Sequence, residues 1–117
     1  MTCLVACLST GKGTWGHVSR LLEGDWEKIF LITNEFGKEN FNNTKNAEMI
    51  IIDSRIGLEE LRENIKAQLN GKLTGTEVAI NMVSGEGKEH MAIMSAILQL
   101  GFGMRFTALT KDGIKEI

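Results

Sequence analysis

The chain has 117 residues, a common length for one domain, and its 43 % hydrophobic and 24 % charged residues are typical of globular proteins. This composition argues against disordered, collagen-like and membrane-spanning classes. The formal net charge of −2 argues against a protein that coats nucleic acid through a broad basic face, so we expect no direct DNA binding.

Five short apolar segments, mostly rich in β-branched or aromatic residues, predict buried strands. They span residues 2–8, 28–33, 49–53, 77–83 and 104–109. Amphipathic helices are predicted between them at residues 15–23, 58–69 and 89–100. Because strands that alternate with helices form parallel β-α-β units, we expect an α/β fold of Rossmann-like type. It would be a three-layer sandwich with a mainly parallel sheet in the order 3-2-1-4-5.

The remaining segments connect or end these elements. Residues 34–48 are polar and predict at most a short helix, and residues 71–75 (GKLTG) close the second long helix. Near the end of the sequence, Asp112-Gly113 is a tight-turn signal, and residues 114–117 alternate like a final short strand. We therefore expect a C-terminal β-hairpin and a single domain over residues 1–117.

The two cysteines, Cys3 and Cys7, lie four residues apart in the first predicted strand. Their separation along a strand would be roughly 13 Å, which is too far for a disulfide. We expect both thiols to be reduced and buried, as in the cytoplasm. No stretch approaches the roughly 20 apolar residues of a membrane helix, and no basic leader precedes the apolar start, so no membrane association is expected.

A first glycine-rich loop, residues 9–16 (STGKGTWG), follows the first strand and opens the first helix. It satisfies the G-x-G-x-x-G pattern of dinucleotide-binding folds, and Glu35 suits the acid that binds a ribose. A nicotinamide or other dinucleotide-binding module is therefore one interpretation, although Lys12 is atypical between the first two glycines. ATP or GTP hydrolysis is disfavoured, because Gly13 replaces the Mg²⁺-binding Ser or Thr of a P-loop.

A second loop, residues 84–88 (SGEGK), follows the fourth strand and has the same ingredients: a hydroxyl, glycines and a lysine at a helix start. Glycine-rich helix starts bind anions through free backbone N–H groups and the positive end of the helix dipole. In the order 3-2-1-4-5 the first and fourth strands are neighbours, so both loops would face one crevice. This favours a ligand that contains phosphate. The alternative is that both loops are ordinary turns of a scaffold or interaction domain.

The fourth-strand segment, residues 81–91 (NMVSGEGKEHM), resembles the motif of the CARF family, the CRISPR-associated Rossmann fold domains. That motif is Asn, then Thr or Ser, Gly, Gly, Thr and Lys, with a following Met. Here Glu86 and Gly87 replace its second glycine and its threonine. The resemblance implies a homodimer that binds a cyclic oligoadenylate, the second messenger of type III CRISPR antiviral defence, across its two-fold axis. Cyclic tetra-adenylate fits best, since two anion loops per subunit match four phosphates.

The resemblance implies either a stand-alone sensor or a ring nuclease that cleaves the messenger without a metal or cofactor. Carried over by position, Ser9 or Thr10 would orient the ribose or phosphate, and Lys88 would stabilise the transition state. The other candidate ligand contacts are Gly11, Lys12, Gly13, Thr14, Trp15, His17, Asn34, Glu35, Ser84, Gly85, Glu86, Gly87 and His90.

Several of these candidates also have a purely structural interpretation. Trp15 would stack on an adenine or pack against the sheet. His17 suits a partly exposed surface position, general acid or base catalysis or a ligand contact, and His90 suits helix capping or lining of the site. Asn34 would recognise a base or ribose, or simply belong to the loop. The methionines at 82, 91, 94 and 104 are expected to fill the core.

Overall fold

The structure is a computed structural model, and it describes residues 2–9 and 11–117. The strands are β1 (Thr2–Cys7), β2 (Trp26–Thr33), β3 (Glu48–Ile51), β4 (Glu77–Asn81), β5 (Gly103–Thr110) and β6 (Gly113–Glu116). The α-helices are α1 (Trp15–Leu21), α2 (Glu35–Asn40), α3 (Leu58–Leu69) and α4 (Gly87–Gln99). A 3₁₀ turn at Lys12–Thr14 precedes α1.

The six strands form one sheet in the order β3-β2-β1-β4-β5-β6. The first five strands are parallel, and β6 pairs antiparallel with β5. The α/β class, the mainly parallel sheet and the terminal hairpin are therefore confirmed, and β6 extends the five-strand order by one place. This arrangement is compatible with a Rossmann-like fold.

Helices cover both faces of the sheet. On one face, α3 and α4 pack their apolar residues against alternating residues of the strands, such as Phe30, Val5 and Ile80, which are aligned across β2, β1 and β4. On the other face, α1 packs against Leu4, Ala6 and Leu31. Because the strands are apolar on both faces, the order of layers is helix, sheet, helix.

Element ends differ from the sequence prediction where side chains bind the backbone. Strand β4 ends at Asn81, two residues early, because Asn81 Oδ1 accepts a hydrogen bond from the Val83 N–H at 3.2 Å and turns the chain. Helix α4 begins at Gly87, two residues early, because Glu86 and Glu89 form a reciprocal capping box around its first turn.

Two predictions about individual side chains have different outcomes. Cys3 and Cys7 are free and buried, as expected. Met91, however, is 59 % exposed, so the prediction that it fills the core is wrong. Met82, Met94 and Met104 do pack against the core as partly buried residues. Among the described helices, none combines the length and the apolar character needed to cross a membrane.

Candidate functional site

The two glycine-rich loops meet at a pair of serines. Strands β1 and β4 are neighbours and parallel, so the loops that follow them leave the same edge of the sheet. The Ser9 N–H donates to Ser84 Oγ at 2.8 Å, and the Ser84 hydroxyl donates to Ser9 Oγ at 3.0 Å. The structure thus brings together the two segments that the sequence predicts to share a crevice.

Residues packed beneath the second loop fix its backbone conformation. Gly85 has φ +104°, a backbone conformation that residues with a side chain rarely adopt. A Cβ at this position would lie 2.6 Å from Cys7 Sγ and 3.0 Å from both Glu89 Oε1 and His90 Nε2. His90 Nε2 also contacts the Ser84 carbonyl oxygen at 2.8 Å. His90 therefore contacts the backbone of the second loop, whereas the cap of α4 is formed by Glu86 and Glu89 and not by His90.

The capping box changes what the start of α4 can offer to an anion. The Glu86 N–H donates to Glu89 Oε1 at 2.9 Å, and Glu86 in turn caps the N–H of Glu89. Two donors of the first turn are therefore already used by carboxylates. Gly87, the first residue of α4, is exposed. An anion near this helix start would depend on lysine side chains more than on free backbone N–H groups.

Cys7 lies beneath Gly85, but it is not suited to be a nucleophile. Its side chain is buried, with 1 % exposure. Burial raises the pKa of the Cys7 thiol far above its usual range, and the Glu89 carboxylate raises it further. The thiol therefore stays protonated and acts as a packing group under the loop.

The first loop is more open. Gly11, Lys12 and Gly13 are exposed, and the Gly11 N–H donates to Ser9 Oγ at 3.2 Å. Thr14 Oγ1 is buried and has no hydrogen-bond partner within the part of the chain that the structure describes. Thr10, the alternative to Ser9 for orienting a ribose or phosphate, lies outside the described residues.

Trp15 packs into the core instead of facing open solvent. It is 9 % exposed, its indole N–H donates to the Ser9 carbonyl oxygen at 2.7 Å, and its ring makes an edge contact with Phe41. Of the two roles that the sequence leaves open for Trp15, the structure shows packing. The Lys12 ammonium lies 5.7 Å from the centre of the Trp15 ring and 5.6 Å from that of Phe36, within cation–π range of both.

Lys88 is bound to a third loop. Its ammonium donates to the backbone carbonyl of Ser54 at 2.9 Å and to that of Ile56. Both acceptors belong to the connection between β3 and α3. Lys88 therefore ties the start of α4 to the end of β3, and Lys12 reaches the residue Phe36 that follows β2. Both ammonium groups extend toward the side of the crevice where β2 and β3 end.

His17 connects helix α1 to the sheet. Its Nε2 accepts a hydrogen bond from the Leu109 N–H at 3.3 Å and contacts the Asn81 side-chain amide at 3.2 Å. The same amide donates to the Thr107 carbonyl oxygen at 2.8 Å. His17 thus links α1 to β4 and β5, which is a structural role.

Asn34 and Glu35 border a cavity between the ends of β2 and β3. Asn34 caps α2 by accepting a hydrogen bond from the Gly37 N–H at 2.9 Å, and Glu35 is exposed. The cavity has a volume of about 630 Å³. It is also lined by Asp53 and Arg55, which form an ion pair at 2.9 Å. Hydrogen bonds from Arg55 lower the pKa of the Asp53 carboxyl.

The cavity includes residues that sequence reasoning missed. Phe36 and Asn64 line it, but neither belongs to a motif. The polar segment 34–48 contains two aromatic residues, Phe36 and Phe41, and nothing in the sequence distinguishes Phe36 as the one at the cavity. Asp53 does not cap α3, since the residue at that cap is Gly57; Asp53 Oδ1 accepts a hydrogen bond from the Arg55 N–H at 3.0 Å.

Two further observations limit the chemistry of the site. Within residues 2–9 and 11–117, no group of three or more His, Cys, Asp or Glu side chains could hold a metal ion. The third glycine of a dinucleotide fingerprint normally permits close packing of helix on strand. Here a Cβ on Gly16 would meet nothing within 4 Å, so that packing requirement is absent.

No protein-family model matches the chain, and no curated protein matches it in sequence. Its function must therefore be inferred from the chemistry of the site.

Proposed function

We propose that the chain is a CARF-like, Rossmann-type domain that binds cyclic oligoadenylate, with cyclic tetra-adenylate as the best candidate, as a cytoplasmic homodimer. The observation that carries this proposal is the contact between Ser9 and Ser84, which joins the two glycine-rich loops at the carboxyl edge of β1 and β4. Ligands of open parallel sheets bind at this edge, where neighbouring connections diverge.

The charge around this contact favours an anionic ligand on one side. Lys12 and Lys88 come from the two loops, and both extend toward the ends of β2 and β3. The carboxylates of Glu86 and Glu89 surround the start of α4 and are engaged in its capping box. Phosphates would therefore lie along the lysine side of the crevice, where the charges attract them.

The outer face of α4 supports a homodimer. Gly87, Met91, Met94 and Leu98 recur at spacings of four, three and four residues, the pattern of a helix that packs along another helix. Met91 and Leu98 are 59 % and 57 % exposed, so this face of α4 presents neighbouring large apolar side chains to solvent, as interaction surfaces do. A second copy of the same stripe is its self-complementary partner. A two-fold axis parallel to α4 would bring both second loops to one end of the dimer, beside each other.

Ring cleavage requires little more than orientation of the ring. At a linkage that is cleaved, the ribose 2′-oxygen would form a bond to the adjacent phosphorus, and the bond from phosphorus to the 5′-oxygen would break. The 2′-hydroxyl proton would pass to solvent, and the leaving 5′-oxygen would take up a proton, giving a linear product with a 2′,3′-cyclic phosphate. Ser9 would hold the ribose or phosphate. Lys88 would stabilise the developing charge after its ammonium leaves the Ser54 carbonyl oxygen.

Titration of the pure protein with cyclic tetra-adenylate in EDTA tests the proposal. We expect saturable binding at micromolar ligand, and chromatography after incubation should show linear product if the protein is a nuclease. Absence of binding would refute the sensor, whereas binding without linear product would refute only the nuclease. Lys88→Ala should lower the cleavage rate about 10²- to 10³-fold. The control Lys111→Ala, at the exposed turn before β6, should leave it unchanged.

Light scattering after size-exclusion chromatography tests the dimer. The substitution Met91→Glu places a charge on the apolar stripe of α4. It should convert the dimer to a monomer, because an unpaired carboxylate would be buried in the interface. Leu58→Glu is the matched control, since Leu58 is 40 % exposed on α3 and lies outside the stripe. A wild-type protein that is monomeric, or a Met91→Glu variant that remains dimeric, would contradict this interface.

A further inference from the structure

The cavity between the ends of β2 and β3 has the size and the walls of a small-ligand site. Its volume of about 630 Å³ falls within the roughly 300–1,000 Å³ of small-molecule pockets. Three separate elements contribute to it: Phe36 from α2, Ile51 and Ile52 from the end of β3, and Asn64 from α3. It is therefore part of the folded framework and does not belong to one loop alone.

The walls of this cavity include both apolar and polar side chains. The Phe36 ring is 41 % exposed and can offer a face for stacking. Asn34 Oδ1 accepts from the Gly37 N–H, and Asn64 Oδ1 accepts from Gln68 at 2.6 Å, so each amide is oriented by the protein and keeps donors for a ligand. A flat ring with hydrogen-bonding edges matches this combination.

The two lysines of the glycine-rich loops flank the same cavity. The Lys12 ammonium lies 5.6 Å from the centre of the Phe36 ring, which is one wall. The Lys88 ammonium binds the carbonyl oxygen of Ser54, another residue that lines the cavity. A ligand in the cavity would thus have two lysine ammonium groups nearby. The chemistry is that of a nucleotide, with a base inside and a phosphate outside.

We propose that this cavity binds an adenine base, stacked on Phe36, with the attached phosphate beside Lys12 or Lys88. This inference rests on the proposed function, because it assigns a base of the cyclic oligoadenylate to a defined place. Adenine fits because each Asn amide keeps its Nδ2 donors and the second lone pair of its Oδ1, which match the paired acceptor and donor on the adenine edge. In this arrangement the hydrogen bonds of Lys88 hold one wall of the cavity in place, so Lys88 is also a positioning residue for the base.

Adenosine monophosphate tests the cavity without the ring. In ¹H–¹⁵N spectra of the full chain, millimolar AMP should shift the amides of residues 34–36, 52–55 and 64. Uridine monophosphate should shift them much less, because its smaller ring stacks less well. Shifts that are absent, or confined to residues 9–16 and 84–88, would overturn the proposal. Equal shifts with guanosine monophosphate would overturn the choice of adenine.

Two substitutions of Phe36 test the same cavity with cyclic tetra-adenylate. Phe36→Leu keeps an apolar side chain but removes the aromatic face, and it should weaken binding about 5- to 150-fold, the usual effect of losing one stacked base. Phe36→Tyr keeps the ring and should bind within about two-fold of the wild type. Equal melting temperatures of the three proteins would show that the fold is intact.

The outcomes separate this inference from the proposed function. If the ring binds and Phe36→Leu has no effect, the base lies elsewhere and only the cavity assignment fails. If the ring does not bind but AMP shifts the cavity amides, and Phe36→Leu abolishes those shifts, the cyclic ligand fails and the adenine site stands.

Discussion

The two glycine-rich loops differ in how closely the protein packs around their glycines. In the first loop, Cβ atoms on Gly13 and Gly16 would meet nothing within 4 Å. In the second loop, a Cβ on Gly85 would overlap Cys7 Sγ at 2.6 Å, and its φ of +104° disfavours any side chain. The first loop therefore presents open backbone, whereas the second is a fixed frame at Gly85 and opens only at Gly87, where a Cβ would also meet nothing within 4 Å.

This difference assigns unequal roles to the two loops. The fixed loop sets the position of Ser84, which is 1 % exposed and holds Ser9 at the edge of the open loop. Residues 11–13 remain exposed and can adjust to a ligand. A rigid frame that positions an adaptable segment is a common arrangement in binding sites.

The largest effect is expected from Gly85→Ala. The added methyl group must push against Cys7 and Glu89 in an unfavourable backbone conformation. Strain of this kind costs about 1–2 kcal/mol, and overpacking costs about 1–3 kcal/mol more. The free energy of unfolding in urea should therefore fall by about 2–5 kcal/mol.

Gly16→Ala is the matched control in the first loop. Gly16 is an exposed residue of α1, where alanine favours the helix, so stability should stay the same or rise by up to about 1 kcal/mol. Equal losses in the two variants would contradict the difference between the loops.

Ser84→Ala should have the next largest effect. The substitution leaves the Ser9 N–H without its partner at 2.8 Å, in a partly buried position. An unsatisfied group of this kind costs about 1–3 kcal/mol, measurable by the same urea unfolding. Ser19→Ala, at an exposed position of α1, should change stability by less than about 0.5 kcal/mol. A Ser84→Ala variant as stable as Ser19→Ala would show that the serine pair does not join the loops.

The sequence predicted the framework of this site but not its details. Apolar runs located the first five strands, because buried parallel strands leave a clear pattern, and the helix predicted over 58–69 begins and ends as expected. The convergence of the loops followed from strand order. The exposure of Met91 could not be predicted, because α4 carries apolar residues on more than one face and periodicity alone does not show which face meets the sheet.

Contacts between segments that are distant in the sequence could not be predicted either. The acceptors of Lys88 are backbone carbonyls more than 30 residues away, and any residue type supplies such a carbonyl. The cavity beside Phe36 is lined by residues of α2, β3 and α3, so no local sequence motif could predict it. Motifs identified the loops, but only three-dimensional packing distinguished their roles.

Substitution of the lysine in the second loop should destabilise the protein more than substitution of the lysine in the first loop, as expected for the glycines. Lys88→Met removes an ammonium that donates to two carbonyls, and stability should fall by about 1–2 kcal/mol, since partial exposure lowers the usual value of such charged hydrogen bonds. Lys12→Met removes an exposed cation–π contact and should cost about 0.5 kcal/mol or less. Thermal or urea unfolding of both variants checks this difference, and a larger loss for Lys12→Met would reverse the assignment of the fixed loop.

A smaller effect than that of Lys88→Met is expected in the dependence of stability on alkaline pH through Cys7, the thiol beneath the fixed loop. Burial, reinforced by the Glu89 carboxylate, raises the pKa of Cys7 in the folded protein, whereas an unfolded thiol ionises near pH 8.5. The unfolded chain therefore loses a proton that the folded protein keeps. The stabilisation is complete below about pH 8.5 and is lost as the pH rises above it. Between pH 8 and 9.5 this one group should lower the free energy of unfolding by about 1 kcal/mol.

Cys7→Ala should remove this contribution, so that its unfolding free energy falls less steeply with pH than that of the wild type. Val5→Ala is the control, because it also creates a cavity on β1 but keeps the thiol, and its slope should match the wild type. Parallel slopes for wild type and Cys7→Ala would mean that water reaches Cys7 in the folded protein. The packing of the second loop over that thiol would then be looser than that of a fixed frame, and the two loops would differ less than their glycines indicate.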